Sequence, residues 1–178
     1  SAVTALTVLD GTFLLGGVSE TGLALVRLTA EGKSEELPLP GSTEYLYALC
    51  PDGAGGAWLL CGSLPKGYFD AFGNFRFLSK EPEGKLALAH YDAAFALQET
   101  VLLQTQYTDR FFQLCRLEGG FCMMSASLLI RLDEAGAEMS RQSLDAKDGW
   151  SFAAIQEADG VLYVLTRNFY GEELPELR

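Results

Sequence analysis

The sequence predicts an all-β fold of tandem four-stranded antiparallel units, about three and a half of them in 178 residues. Three observations carry that reading. An acidic residue followed by glycine recurs between apolar runs at Asp10-Gly11, Asp52-Gly53, Glu118-Gly119 and Asp159-Gly160, at spacings of 42, 66 and 41 residues. Behind the first three pairs lies an apolar run that ends near a basic or imidazole side chain and passes into a polar turn, at 23–32, 86–94 and 128–136. The distance from Arg27, His90 and Arg131 to the next acidic-Gly pair is then 25, 28 and 28 residues. Three registers that agree on one period define a repeat architecture.

Within a unit, each acidic-Gly pair is expected to turn a first strand into a second, because a tight hairpin needs positive φ and glycine supplies it. The pairs are 3–9 with 12–16, 45–50 with 57–61, 111–117 with 121–124, and 152–155 with 161–166. The apolar runs at 23–28, 86–91 and 128–133 supply third strands, and 36–39, 97–103 and 138–144 supply weaker fourth strands. Residues 86–106 are rich in Ala and Leu, so propensity alone favours a helix there. Their alignment with both neighbouring units favours strands, since tertiary context overrides propensity. The 66-residue spacing implies about 24 inserted residues, placed at 64–84. The expected organisation is one domain of units 1–42, 43–107 (with the insertion), 108–147 and 148–178.

Strands such as Trp58-Leu59-Leu60-Cys61 and Val161-Leu162-Tyr163-Val164-Leu165 are almost continuously apolar. A half-wet strand would alternate, so these are read as buried on both faces. Four-stranded sheets achieve that by stacking face to face around an axis, which is the β-propeller arrangement. Gly16, Gly17 and Gly62 are read as second-strand ends where backbones approach closely.

The run Tyr47-Ala48-Leu49-Cys50-Pro51-Asp52-Gly53-Ala54-Gly55-Gly56-Ala57-Trp58-Leu59 resembles bacterial β-propeller repeats of the two-component-regulator type, in which an acidic turn and Gly precede a Trp on the second strand. Gly22-Leu23 through Arg27-Leu28 resembles the third strand of that repeat. The third unit departs from it, with Phe121 and Cys122 in place of the Trp, and Trp150 precedes the fourth turn. The resemblance implies a fold, in a segment of a larger protein, and brings no catalytic residue with it.

Thirteen Lys and Arg against 24 Asp and Glu give a net charge of −11. Such a surface repels phosphate backbones and anionic lipid, so no nucleic-acid partner is expected. No apolar run reaches the roughly 18–20 residues of a membrane span. No signal peptide is visible. Ser1-Ala2 reads as a trimmed start, so the compartment stays open: extracytoplasmic if an upstream signal has been removed, otherwise cytoplasmic. Cys50, Cys61, Cys115 and Cys122 form no CxxC pair and each lies in an apolar run, so four buried free thiols are expected. With one histidine, no zinc site or other cofactor is expected.

Chemistry-bearing motifs are sparse. There is no G-x-S-x-G elbow, and residues 52–56 lack the Lys-Ser/Thr of a phosphate loop. His90 aligns with Arg27 and Arg131, which suggests a shared structural slot. The insertion is richer, with five aromatics in residues 68–77. Tyr68, Phe69, Phe72, Asn74, Phe75 and Arg76 are the candidate binding residues, for a protein or carbohydrate ligand, because amphipathic rings beside Asn and Arg suit such partners. The competing reading is a hairpin that buries its own rings, with Phe69, Phe75 and Phe77 in strand parity. The expected function is a non-enzymatic binding or scaffold module of a larger bacterial surface or sensory protein. The alternatives are a fragment of a propeller enzyme (glycosidase or lyase) and an accessory region of an extracellular solute-binding protein. Uncovered terminal units further imply a homodimer through open blade edges.

Overall fold

A computed structural model describes residues 2–20, 22–41, 43–63, 67–69, 75–77, 85–104, 107, 109–144 and 149–168, with backbone alone at 19, 67–69 and 75–77. Every regular element among them is a β-strand. The first sheet holds β1 (Ala2–Leu9), β2 (Thr12–Ser19), β3 (Gly22–Thr29) and β4 (Ser34–Leu37) in sequential antiparallel order. The second unit runs β5 (Tyr45–Pro51), β6 (Ala57–Gly62), β7 (Gly67–Phe69), β8 (Phe75–Phe77), β9 (Leu86–Tyr91) and β10 (Leu97–Leu102). Its sheet is β10-β9-β6-β5, and β7 and β8 pair separately as an inserted hairpin. The third sheet holds β11 (Gln113–Leu117), β12 (Gly120–Met124), β13 (Leu128–Asp133) and β14 (Glu138–Ser143), again sequential. β15 (Trp150–Ala158) and β16 (Val161–Asn168) form a two-stranded fourth sheet.

Local chemistry sets the turns. Asp10 and Gly11 have φ of 40° and 79°, and Asp159 and Gly160 have 53° and 76°. Two consecutive positive φ values define the turn whose twist matches a hairpin, and Asp tolerates the left-handed region better than most residues. At Glu118-Gly119 only the glycine is left-handed, at 73°. The second acidic-Gly pair differs from the tight turn expected. Pro51 pairs with Ala57 across a five-residue loop, because the Asp52 carboxylate folds the chain over itself. Its Oδ1 accepts from the backbone N–H of Ala54 at 2.7 Å and of Gly56 at 2.8 Å. Such a side-chain acceptor imitates a backbone turn.

The turns between third and fourth strands are closely alike in the three complete sheets. Gly32, Phe95 and Gly136 each donate their N–H to the carbonyl three residues back, at 2.9, 2.8 and 3.1 Å. All three are left-handed, with φ of 80°, 62° and 77°. Phe95 therefore occupies a glycine position at a strain of roughly 1–2 kcal/mol. Its ring is buried between the first two sheets, with the Arg27 guanidinium 4.4 Å from the ring centre.

Three apolar layers alternate with the sheets. Leu14 and Leu25 of the first sheet meet Leu46, Leu59 and Tyr91 of the second. The other face of the second sheet, with Trp58, Leu60 and Leu88, meets Phe121, Met123 and Ile130 of the third. Cys122, Met124 and Leu129, on the third sheet's far face, meet Phe152 and Ile155 of the fourth. The second and third sheets are thus buried on both sides, as their unbroken apolar strands imply. Residues 86–102 are strands (β9 and β10), so packing between sheets prevails over the helical propensity of Ala and Leu.

Three expectations shift in detail. Phe111 and Phe112 lie ahead of β11, and β4 starts two residues before the expected fourth strand. Gly16 and Gly17 fall in the middle of β2, opposite the bulge that Thr4 makes in β1. A Cβ at Gly17 would strike the Ala2 carbonyl, so close approach is their role even away from a strand end.

Candidate functional site: the axial cleft and the open blade faces

The first strands of the sheets, β1, β5, β11 and β15, lie side by side in that order and converge on one cleft. Its volume is about 500 Å³, and its walls include Thr4, Thr7, Asp52, Gln113 and Glu157. These strands form no ladder with one another, so side chains join them. Thr4 donates its hydroxyl to the Leu46 carbonyl at 2.7 Å, tying β1 to β5. Between β11 and β15, Gln113 Oε1 accepts from the Ile155 N–H at 2.6 Å. Splayed sheets leave inner backbone groups out of mutual reach, and these staples satisfy some of them.

A polar-aromatic cluster stands at the rim. His90 Nε2 lies 3.0 Å from Asp52 Oδ2, with the carboxylate side chain 8% exposed. The imidazole stacks on Trp58 at 4.4 Å, and Trp58 meets the edge of Phe121 at 4.8 Å. Arg116 lies over the Phe121 ring at 4.6 Å and binds Glu134 at 2.8 Å. Burial raises the Asp52 pKa, but the bonds from His90 and from the Ala54 and Gly56 N–H groups outweigh it and hold the carboxyl below 3.8. The arrangement fastens the 52–56 loop to β9 across the sheet. Arg27, by contrast, stacks on Phe95 and faces Glu35 at 3.6 Å. Arg131 is exposed. The aligned slot thus carries two different sets of contacts and one exposed side chain.

The four cysteines are free thiols. Burial pushes Cys61 up to about 11 and Cys122 to about 12, and it raises Cys50 further still, so these thiols are poor nucleophiles. Cys115 is half-buried, where full burial was expected, because it sits on a first strand beside the cleft. Among the described residues no group of His, Cys, Asp and Glu is placed to hold a metal ion. No described helix is long and apolar enough to cross a membrane.

Of the sequence-derived binding residues, Phe72 and Asn74 lie outside the described residues. Tyr68, Phe69, Phe75 and Arg76 are described by backbone only, in the β7–β8 hairpin where Tyr68 pairs with Arg76 and Phe69 with Phe75. The uncovered apolar faces expected of the terminal units lie at the two ends of the stack. On the first sheet's outward face Val3, Leu6 and Val8 are more than half exposed, and Phe13 is 38% exposed. On the fourth sheet Val161, Tyr163 and Leu165 alternate outward, each at least half exposed. Burial on both faces, expected of Val161-Leu162-Tyr163-Val164-Leu165, does not hold: Val161, Tyr163 and Leu165 are exposed because no described sheet packs against that side.

No protein-family profile and no curated protein matches the chain. Among solved structures, the crystal structure of the computationally designed Ika8 protein superposes with a TM-score of 0.54 at 14% identity, over 92% of this chain and 42% of that one. Virginiamycin B lyase from Staphylococcus aureus matches with a TM-score of 0.46 at 12% identity, over 96% of this chain and 68% of that one. A protein from Lactobacillus plantarum gives 0.44 at 15% identity, over 94% and 64%. The neighbours are propeller-like, and the fold of this chain is that of a β-propeller segment. The chain spans less than half the length of Ika8. At these identities the likeness concerns fold alone.

Proposed function

We propose that the chain is a non-enzymatic binding or scaffold module, part of a larger bacterial surface or sensory protein. The observation that carries this reading is the pair of uncovered apolar blade faces, Val3, Leu6, Val8 and Phe13 at one end and Val161, Tyr163 and Leu165 at the other. Contiguous exposed apolar side chains mark interaction sites. The polar groups of the cleft rim favour the same reading. Asp52 and His90 are engaged with each other and with the loop they hold.

A chromosomally tagged chain, sized under native conditions in its own host, tests this. The expected result is a complex well above the 19.3 kDa of one chain, which Leu6→Lys together with Leu165→Lys dissolves while circular dichroism stays unchanged. Migration of the unsubstituted chain as a single free copy would overturn the reading.

A further inference from the structure

We propose that the partner of the two open faces is a second copy of this chain, each copy's first sheet packing on the other's fourth to close one ring around a shared axial channel. The inference rests on the interaction-module reading and names its partner.

In all three internal layers, the forward face of one sheet meets the backward face of the next. The faces left open are one of each kind: backward on the first sheet, forward on the fourth. They are the two halves of a fourth layer of the same type, carried at opposite ends of one chain.

Equivalent rows make this concrete. In the third sheet Arg116, Phe121 and Leu132, one pair inward of the Glu118-Gly119 turn, form a cross-strand row on the backward face. The second sheet covers Phe121 and Leu132 to 1% exposure each. The matching row of the first sheet, one pair inward of the Asp10-Gly11 turn, is Val8, Phe13 and Leu28. There Val8 is 53% and Phe13 38% exposed. The same side-chain class at the same register is dry in one sheet and wet in the other, and what differs is the neighbouring sheet. On the forward side, Tyr163 and Leu165 stand where the third sheet's Cys122 and Met124 are fully buried by the fourth.

Joining forward to backward faces is a heterologous contact, and two such contacts related by a twofold axis close a dimer. One copy matches 42% of Ika8, so two copies fit within a single propeller of that kind. The cleft between β1, β5, β11 and β15 is walled by one chain only. In the ring its open side receives the first strands of the second copy, so the channel is incomplete in a monomer. A like charge of −11 on each copy opposes the encounter, so screening by salt should tighten the dimer.

Sedimentation velocity of the purified 178-residue chain at micromolar concentration tests the proposal. A species of twice 19.3 kDa is expected, with a larger dimer share at high salt. Val8→Glu and Tyr163→Lys each place a charge on one face, and each variant alone should be monomeric with an unchanged circular dichroism spectrum and a thermal midpoint that no longer depends on concentration. Mixed together they should recover the dimer, because one contact is then intact and the other sets Glu against Lys. Three results overturn the proposal: a monomeric unsubstituted chain, a mass that grows without limit as concentration rises, or a Tyr163→Lys variant that still dimerises. If either single variant loses its fold, Val8→Thr and Tyr163→Thr, which keep the strand, should each raise the dissociation constant at least tenfold, and no change overturns the proposal. A monomeric chain that still migrates as a large complex in its host refutes the second copy as partner and leaves the module reading standing.

Discussion

Replacing Asp52 by alanine removes three hydrogen bonds at once. Oδ1 accepts from Ala54 and Gly56 at 2.7 and 2.8 Å, and Oδ2 faces His90 Nε2 at 3.0 Å. At about 1 kcal/mol net for each bond, Asp52→Ala should cost about 3 kcal/mol of unfolding free energy. Asp52→Asn keeps a carbonyl oxygen for both backbone donors and exchanges only the contact to His90, so about 1 kcal/mol is expected. The pH profile separates charge from shape. The carboxyl is held below its ordinary 3.8 in the folded chain, so its contribution is present above that value and is lost as pH falls through the folded pKa. The unsubstituted chain should therefore lose stability below about pH 4 more steeply than Asp52→Asn. Glu138, depressed by Arg141 and Tyr107, titrates alike in both and cancels from the difference. Urea unfolding followed by Trp fluorescence is the assay, since Trp58 stacks on His90. Equal losses for Ala and Asn, or a loss below about 1 kcal/mol for Ala, would refute the three-bond account.

Other substitutions probe separate parts of the structure. Phe95→Gly relieves roughly 1–2 kcal/mol of left-handed strain but removes a buried ring and the seat of Arg27. A net loss of about 2 kcal/mol is expected from the cost of about 3–5 kcal/mol for emptying a buried Phe site. A gain in stability would show that the ring does not clamp the first two sheets. Four thiols per chain should react in the denatured, unreduced protein, with Cys115 first to be alkylated in the native one. A count of zero in the denatured protein would mean two disulfides. Replacing Phe72 and Arg76 together should weaken association and leave the melting temperature nearly unchanged, whereas a large stability loss would show that the 68–77 segment packs on its own blade.

The turn and strand plan was legible because acidic-Gly pairs impose positive φ and because sheets buried on two sides need unbroken apolar strands. The 52–56 loop was not, since the same dipeptide there begins a longer loop shaped by the Asp52 side chain. Nor could the repeat alignment foresee Phe95 in a glycine position, or that Arg27 and His90, aligned in sequence, would grip different partners. The inner-strand staples depend on how far the sheets splay, which only packing fixes. Open terminal faces followed from the repeat count, but the unbroken apolar run 161–165 concealed that Val161, Tyr163 and Leu165 would be the exposed residues.

The central claim is that separate apolar layers alternate with sheets around an axis. Methyl NOE spectroscopy on Leu-, Ile- and Met-labelled protein tests it most directly. Cross-peaks are expected from Leu14 and Leu25 to Leu46 and Leu59, from Leu60 and Leu88 to Met123 and Ile130, and from Met124 and Leu129 to Ile155. Cross-peaks joining Leu14 or Leu25 directly to Met124 or Leu129 would show one shared core, as in a sandwich or closed barrel, and would contradict the propeller arrangement.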